Sequence, residues 1–156
     1  MSDAVSLRPA QDEDQPFLFA LYSDVRGPEV DAWGWPAPQR EGFLRMQFEA
    51  QRRSYRAAYP DASDQIVCRQ GVPVGRILVA AATEGSRLVD IALLAAYRNL
   101  GIGTRLIQEV IDECGRRQRA ISLQVLRGNP AHRLYLRFGF HETSSDAMYI
   151  QMERTP

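Results

Sequence analysis

The sequence predicts an α/β (α+β) fold, a single domain over residues 1–156 with a mixed central sheet of about six to seven strands flanked by about four helices. Three features of the pattern carry this expectation. Gln65 to Arg69 and Val74 to Thr83 are β-rich runs joined by Gln70-Gly71-Val72-Pro73, and Arg87 to Leu94 follows the turn Glu84-Gly85-Ser86, which together make an antiparallel meander. After it come a helix and then a strand, the order of a parallel crossover. Before it come helical patterns that do not alternate with strands.

Composition narrows the class. The chain of 156 residues suits one domain with a real core, and its 45% apolar and 24% charged residues are those of an ordinary globular protein. Nineteen basic and nineteen acidic side chains cancel, so no global field draws it to nucleic acid or to an anionic membrane. Cys68 and Cys114 stand apart with no metal-ligand spacing, so no metal is expected and both thiols are read as small buried hydrophobes. The start, Met1-Ser2-Asp3-Ala4, lacks a basic region followed by an apolar run, and a cytoplasmic protein with reduced thiols is the simplest expectation.

Val5 to Arg8 alternates and stops at Pro9, a short first strand. Asp12, Glu13 and Asp14 place negative charge where a helix begins, and Phe17, Leu18, Leu21, Tyr22 and Val25 recur at helical spacing. This first helix is expected to end near Asp24 to Arg26, with Gly27-Pro28 as its stop. Glu29 to Pro38 reads as a loop pinned by Trp33 and Trp35. A second helix runs from Gln39 to Tyr59 and closes at Pro60, with Leu44, Phe48, Gln51, Tyr55 and Ala58 on one stripe. Because that stripe mixes amides with aromatics, two readings stand: a wet core edge, or a pocket lined by Gln47, Gln51, Arg52 and Tyr55.

Arg87 to Leu94 leads into Tyr97-Arg98-Asn99-Leu100-Gly101-Ile102-Gly103-Thr104 and then into an amphipathic helix from Gly101 to about Arg117. Glycines at a strand-to-helix turn let bare backbone approach a ligand and expose the unpaired N–H groups of the first helical turn, which favour a phosphate. Arg98 and Arg105 can add charge-assisted hydrogen bonds to the same anion. Ile121 to Leu126 is the crossover strand. Asn129 as N-cap and Pro130 at the first position start a short helix with Ala131, Leu134, Tyr135 and Phe138 on its apolar face, and Gly139 stops it. Phe140 to Thr143 and Ala147 to Met152 form a last hairpin.

Arg98-x-x-Gly101-x-Gly103 after a strand, followed by Asn129-Pro130 and by Tyr135-x-x-Phe138-Gly139-Phe140, resembles the GNAT superfamily of acetyl-CoA-dependent N-acetyltransferases. A lone G-x-G is a weak signal; in this order and spacing it is a strong one. The likeness covers about Leu7 to Met152. Phe43-Leu44-Arg45-Met46-Gln47-Phe48-Glu49-Ala50-Gln51 is similar to a bacterial branch whose acceptors are unassigned, so the resemblance names the donor and leaves the acceptor open.

What the resemblance implies is a GNAT-like fold with acetyl-CoA as co-substrate and a primary amine of a small molecule or peptide as acceptor. Arg98, Asn99, Gly101, Ile102, Gly103 and Thr104 would cradle the pyrophosphate, and Asn129 would cap its own helix or reach the pantetheine, two roles that are compatible. Main-chain N–H groups near Ile91 to Leu94, with Ile91 and Leu93 named as donor-side residues, would polarise the thioester carbonyl. Ala95 stands where many relatives have proline. Tyr135 occupies the family's tyrosine position, the place of a general acid, although its own helix face reads as core. With reference pKa values of about 10 for tyrosine and about 8.5 for a thiol, full proton transfer to a thiolate is uphill by roughly 2 kcal/mol, so donation belongs in the transition state.

The base is open. Where members that acetylate protein N-termini often have glutamate, this chain has Gln124, an amide that accepts no proton. Asp90 and Glu29 are the alternatives, directly or through water, while His132 and His141 read as solvated surface groups. Two functions follow: an N-acetyltransferase using Tyr135 and Asp90, or a non-catalytic acyl-CoA-binding or sensing module. A dinucleotide-binding domain is disfavoured, since Leu106 stands at the third glycine of G-x-G-x-x-G. A monomer or a homodimer fits equally.

Overall fold

The computed structural model describes residues 4–156; residues 1–3, which open the stretch read for a leader and the expected domain, lie outside the described residues. Seven strands form one mixed sheet in the order β1-β2-β3-β4-β5-β7-β6, with four helices packed on its two faces. The strands are β1 (Val5–Pro9), β2 (Ser63–Arg69), β3 (Val72–Ala82), β4 (Gly85–Leu93), β5 (Ala120–Leu126), β6 (His141–Ser145) and β7 (Tyr149–Arg154). The helices are α1 (Gln15–Asp31), α2 (Ala37–Ala58), α3 (Ile102–Arg116) and α4 (Ala131–Arg137).

The meander forms as expected, with β2, β3 and β4 paired antiparallel. Its first turn is tighter than the sequence suggested. Only Gln70 and Gly71 lie between the strands, with φ of 53° and 79°, the positive values that a two-residue hairpin of right-handed twist requires. β5 runs parallel to β4 after α3, as the crossover expectation had it. β7 inserts between β5 and β6, so the last hairpin extends the sheet from its inner member.

One expected boundary is corrected. α1 does not stop at Gly27-Pro28; it continues to Asp31, so Glu29 lies on a helix and the aromatic loop is shorter. Pro28 removes one helical hydrogen bond, yet the last turn is held from outside the local sequence. Val30 is completely buried, Gly27 packs against Arg40 of α2, and Asp31 forms an ion pair with that same arginine.

Each face of the sheet has its own core. On one, Ile102, Leu106, Ile107, Ile111 and Cys114 of α3 and Tyr135 of α4 pack on Leu88, Ile121, Leu123 and Val125. On the other, Leu18 of α1 and Phe48 of α2 meet Ile66 and Cys68. Both cysteines are free and buried. No helix among the described residues is long and apolar enough to cross a membrane.

Candidate active site

β4 leaves β5 part-way along its length. The two pair only at Gly85 with Ala120, Ser86 with Ile121 and Arg87 with Ser122, while β4 stays with β3 as far as Leu93 and β5 stays with β7 as far as Leu126. The sheet therefore opens between residues 88–93 and residues 123–126. Gly85 permits the last close approach, because a Cβ there would stand 2.4 Å from the Ala120 carbonyl oxygen. A bulge marks the departure: Leu78 pairs with Asp90 and Val79 with Leu88, leaving Val89 without a partner in β3.

The opening presents backbone donors. The Leu94 N–H donates to the Val74 carbonyl at 2.9 Å, so the alternation of an antiparallel ladder turns the N–H groups of Ile91 and Leu93 toward the gap. The Ile91 N–H also favours the ionised form of the neighbouring Asp90 carboxyl.

Past β4 the chain makes a single 3-10 turn over Ala95–Tyr97 and enters α3 through Asn99 and Gly101, whose φ values are 62° and 85°. Gly101 takes the cap position and no side chain caps the first turn, so the N–H groups of Ile102, Gly103 and Thr104 are without a side-chain acceptor. The Ile102 side chain is in the core and offers the turn only its N–H. At Gly103 the nearest atom to an added Cβ would be Leu93 Cδ1, at 3.8 Å. Nothing among the described residues demands glycine there. The bare backbone instead leaves space that a methyl group would partly fill, beside three N–H groups without a side-chain acceptor and the positive end of α3.

Arg98, expected to add hydrogen bonds to an anion at the mouth of the turn, is partly engaged within the chain. Its Nε donates to the Leu93 carbonyl at 2.9 Å and its Nη2 lies 3.4 Å from Asp24 of α1, while the same Asp24 oxygen accepts the Ala95 N–H at 2.6 Å. The remaining guanidinium edge stays exposed, since the side chain is 40% accessible. Asp24 thus ties α1 to the turn, a role no local pattern announced. Arg105 is exposed on α3 and pairs with Glu109 at 3.4 Å.

Tyr135 is buried, with its ring edge-on to Phe140 at 5.6 Å, and its hydroxyl has no hydrogen-bond partner among the described residues. Burial, and then the charge of Asp90, push the hydroxyl up to about 12. Asp90 lies on the α1–α2 face of β4; burial raises its carboxyl above the usual range, Arg76 opposes that, and Asp64 adds to it. Asn129 accepts the Ala131 N–H at 2.9 Å through its side-chain oxygen, so it does cap α4, with Pro130 in the cap position itself. Among the described residues no cluster of His, Cys, Asp and Glu is arranged to hold a metal.

A family model described as the acetyltransferase (GNAT) family matches residues 20–140, which takes in most of α1 and all of α2, the opening, the turn and α4. The chain belongs to the GNAT family. Solved structures agree on the fold. A PaiA N-acetyltransferase from Thermoplasma acidophilum, in complex with coenzyme A, is 17% identical with a TM-score of 0.74, covering 98% of this chain and 99% of that one. An acetyltransferase from Thermus thermophilus is 16% identical with a TM-score of 0.70, covering 98% and 97%. No curated protein matches the sequence.

The other GNAT expectations concern the acceptor side. A cleft of about 490 Å³ lies between α2 and the sheet, and Gln51, Arg52 and Tyr55 line it as one of the two readings had it. Gln47 lines neither this cleft nor a smaller cavity of about 110 Å³ beside Asp90 and Ala92. Nor do Trp33 and Trp35, which stack with Phe43 in a separate cluster at the α1–α2 corner, their ring centres 5.1 to 5.3 Å apart. Glu29 is exposed on α1 beside Arg26 at 3.3 Å and borders neither cavity. Gln124 is bonded to Gln151 at 3.0 Å. Of the two histidines only His141 is exposed; His132 is bonded to Glu142 at 2.8 Å. Sequence reading missed Arg56, Gln15 and Arg76, which line the larger cleft from three different elements.

Proposed function

We propose that the protein is an N-acetyltransferase that moves an acetyl group from acetyl-CoA to a primary amine by direct attack. The single observation that carries this is the opening between β4 and β5 with an uncapped glycine turn immediately beyond it. A pantetheine arm needs an unpaired strand edge and a pyrophosphate needs clustered N–H donors; the chain supplies both in line. The bare Gly103 fits this use, since a side chain there would occupy the space an anion needs.

Acetyl-CoA, when bound, supplies an acetyl group activated as a thioester. The N–H groups of Ile102, Gly103 and Thr104, with Asn99 and Gly101 shaping the turn and Arg98 at its rim, hold the phosphates. Asn129 reaches the pantetheine from the far side while capping α4. The Leu93 N–H, helped by Ile91, donates to the thioester carbonyl oxygen as negative charge grows on it. Asp90 takes the amine's proton, directly or through water, and its raised pKa makes it a better base than an exposed carboxylate.

Tyr135 donates to the departing sulfur. With its hydroxyl at about 12, full transfer to a thiolate of reference pKa about 8.5 is uphill by roughly 5 kcal/mol, so the hydroxyl acts as a hydrogen-bond donor that stays protonated. The test is release of free thiol from acetyl-CoA in the presence of a broad panel of amines. Turnover of one amine supports an enzyme; tight acetyl-CoA binding with no transfer to any member favours the binding or sensing module.

A further inference from the structure

We infer that the cleft between α2 and the sheet recognises an anionic group on the acceptor, a carboxylate or a phosphate, so that the substrate is a small amine that also carries an acid. This rests on the reading that an amine is acetylated at the β4 opening. The cleft is lined by Arg52 and Arg56 of α2 and Arg76 of β3, against one acid, Asp64. Asp64 is already committed, bonded to the two sides of the Arg76 guanidinium at 3.1 and 2.8 Å. Arg56 has no ion pair among the described residues. Arg52 has only a stretched contact with Glu49 at 3.5 Å, and its Nε is buried without a hydrogen-bond partner.

A buried guanidinium nitrogen without an acceptor is a standing cost that a ligand oxygen removes, and the planar fork of arginine fits two oxygens of one acid. Gln15 adds a buried amide oxygen, also unpartnered, on the same wall, suited to a donor on the ligand body. At about 490 Å³ the space suits a small molecule. The smaller cavity shares Leu18, Phe48, Gln51 and Arg76 with it and is lined also by Arg26, Ala92 and one carboxylate, Asp90. The acid end therefore sits by α2 and the amine end by Asp90 and the β4 opening. Polyamines and basic peptides find no free carboxylate among the described residues that line the larger cleft.

The experiment measures kcat/KM with acetyl-CoA for L-amino acids, their decarboxylated amines, aminoalkyl phosphates and spermidine. The acid-bearing amines are expected to exceed their matched amines by about tenfold or more, and the arm that wins, carboxylate or phosphate, names the anion. Arg52→Ala and Arg56→Ala are expected to erase that preference through KM, and Arg56→Glu to turn it toward spermidine. Equal or better turnover of the decarboxylated amines, or a loss in the arginine variants that ignores the acid, overturns the inference. If no amine is turned over, the acetyltransfer reading fails separately. Calorimetry with the same amines and coenzyme A then decides the cleft: binding of acid-bearing amines that is lost in the Arg52→Ala, Arg56→Ala double variant upholds it, and absent or charge-blind binding overturns it.

Discussion

Gly103→Ala separates what the fold needs from what a bound anion needs. The nearest neighbour of an added methyl is Leu93 Cδ1 at 3.8 Å, an ordinary contact, and Gly103 lies inside α3. Replacing glycine by alanine in a helix gains up to about 1 kcal/mol, and the first turn takes the smaller part, so a gain of about 0.5 kcal/mol is expected. For a phosphate seated on the turn the sign reverses. The methyl displaces the anion from one or two N–H groups, at roughly 1.5 kcal/mol for each charge-assisted bond. Coenzyme A should then bind about 10- to 150-fold more weakly. Urea denaturation without ligand and calorimetric titration with coenzyme A read the two effects on one preparation. A variant that gains stability and keeps its full affinity refutes the placement of the phosphates on this turn.

Tyr135→Phe should lower kcat by about a hundredfold or more when chemistry limits the rate, and leave the melting temperature unchanged because the hydroxyl has no partner to lose; unchanged turnover removes it from the reaction. Asp24→Ala should cost about 1–2 kcal/mol and weaken coenzyme A binding, since it frees both the Ala95 N–H and Arg98. Asp24→Asn should recover part of the stability by keeping an acceptor for Ala95. Acid stability should depend on Asp14, whose carboxyl is held at about 2, below the ordinary 3.8, by Arg8 and then by the Gln11 N–H. A lowered folded pKa gives stability that is complete above the unfolded value and lost as pH falls toward about 2. Asp14→Asn should flatten that limb in melts run from neutral pH downward.

The parts of the fold that local chemistry specifies were legible. Period-2 runs separated by Gln70-Gly71 encode the meander, and the apolar stripe from Ile102 to Cys114 encodes the side of α3 that packs. Gly101 marked the entry to α3, because its φ of 85° is a conformation that favours glycine, whereas the backbone around Gly103 sets no such requirement. What escaped was set by contacts distant in sequence. The end of α1 was misread because Gly27-Pro28 is a local stop that burial of Val30 and the Arg40–Asp31 pair override. Asp24 stands 71 residues from Ala95, and no pattern links them. In α2 the mixed stripe left a wet core edge and a polar pocket as equal readings, and which residues face a cleft depends on packing: Gln51, Arg52 and Tyr55 line it while Gln47 does not.

The most direct test of where the donor sits is the response of backbone amide resonances to added acetyl-CoA. The Leu93 N–H at the open strand edge and the N–H groups of Ile102, Gly103 and Thr104 at the start of α3 should show the largest downfield shifts and slowed exchange. Perturbation confined to other parts of the chain, with these four amides unmoved at saturation, would contradict the account.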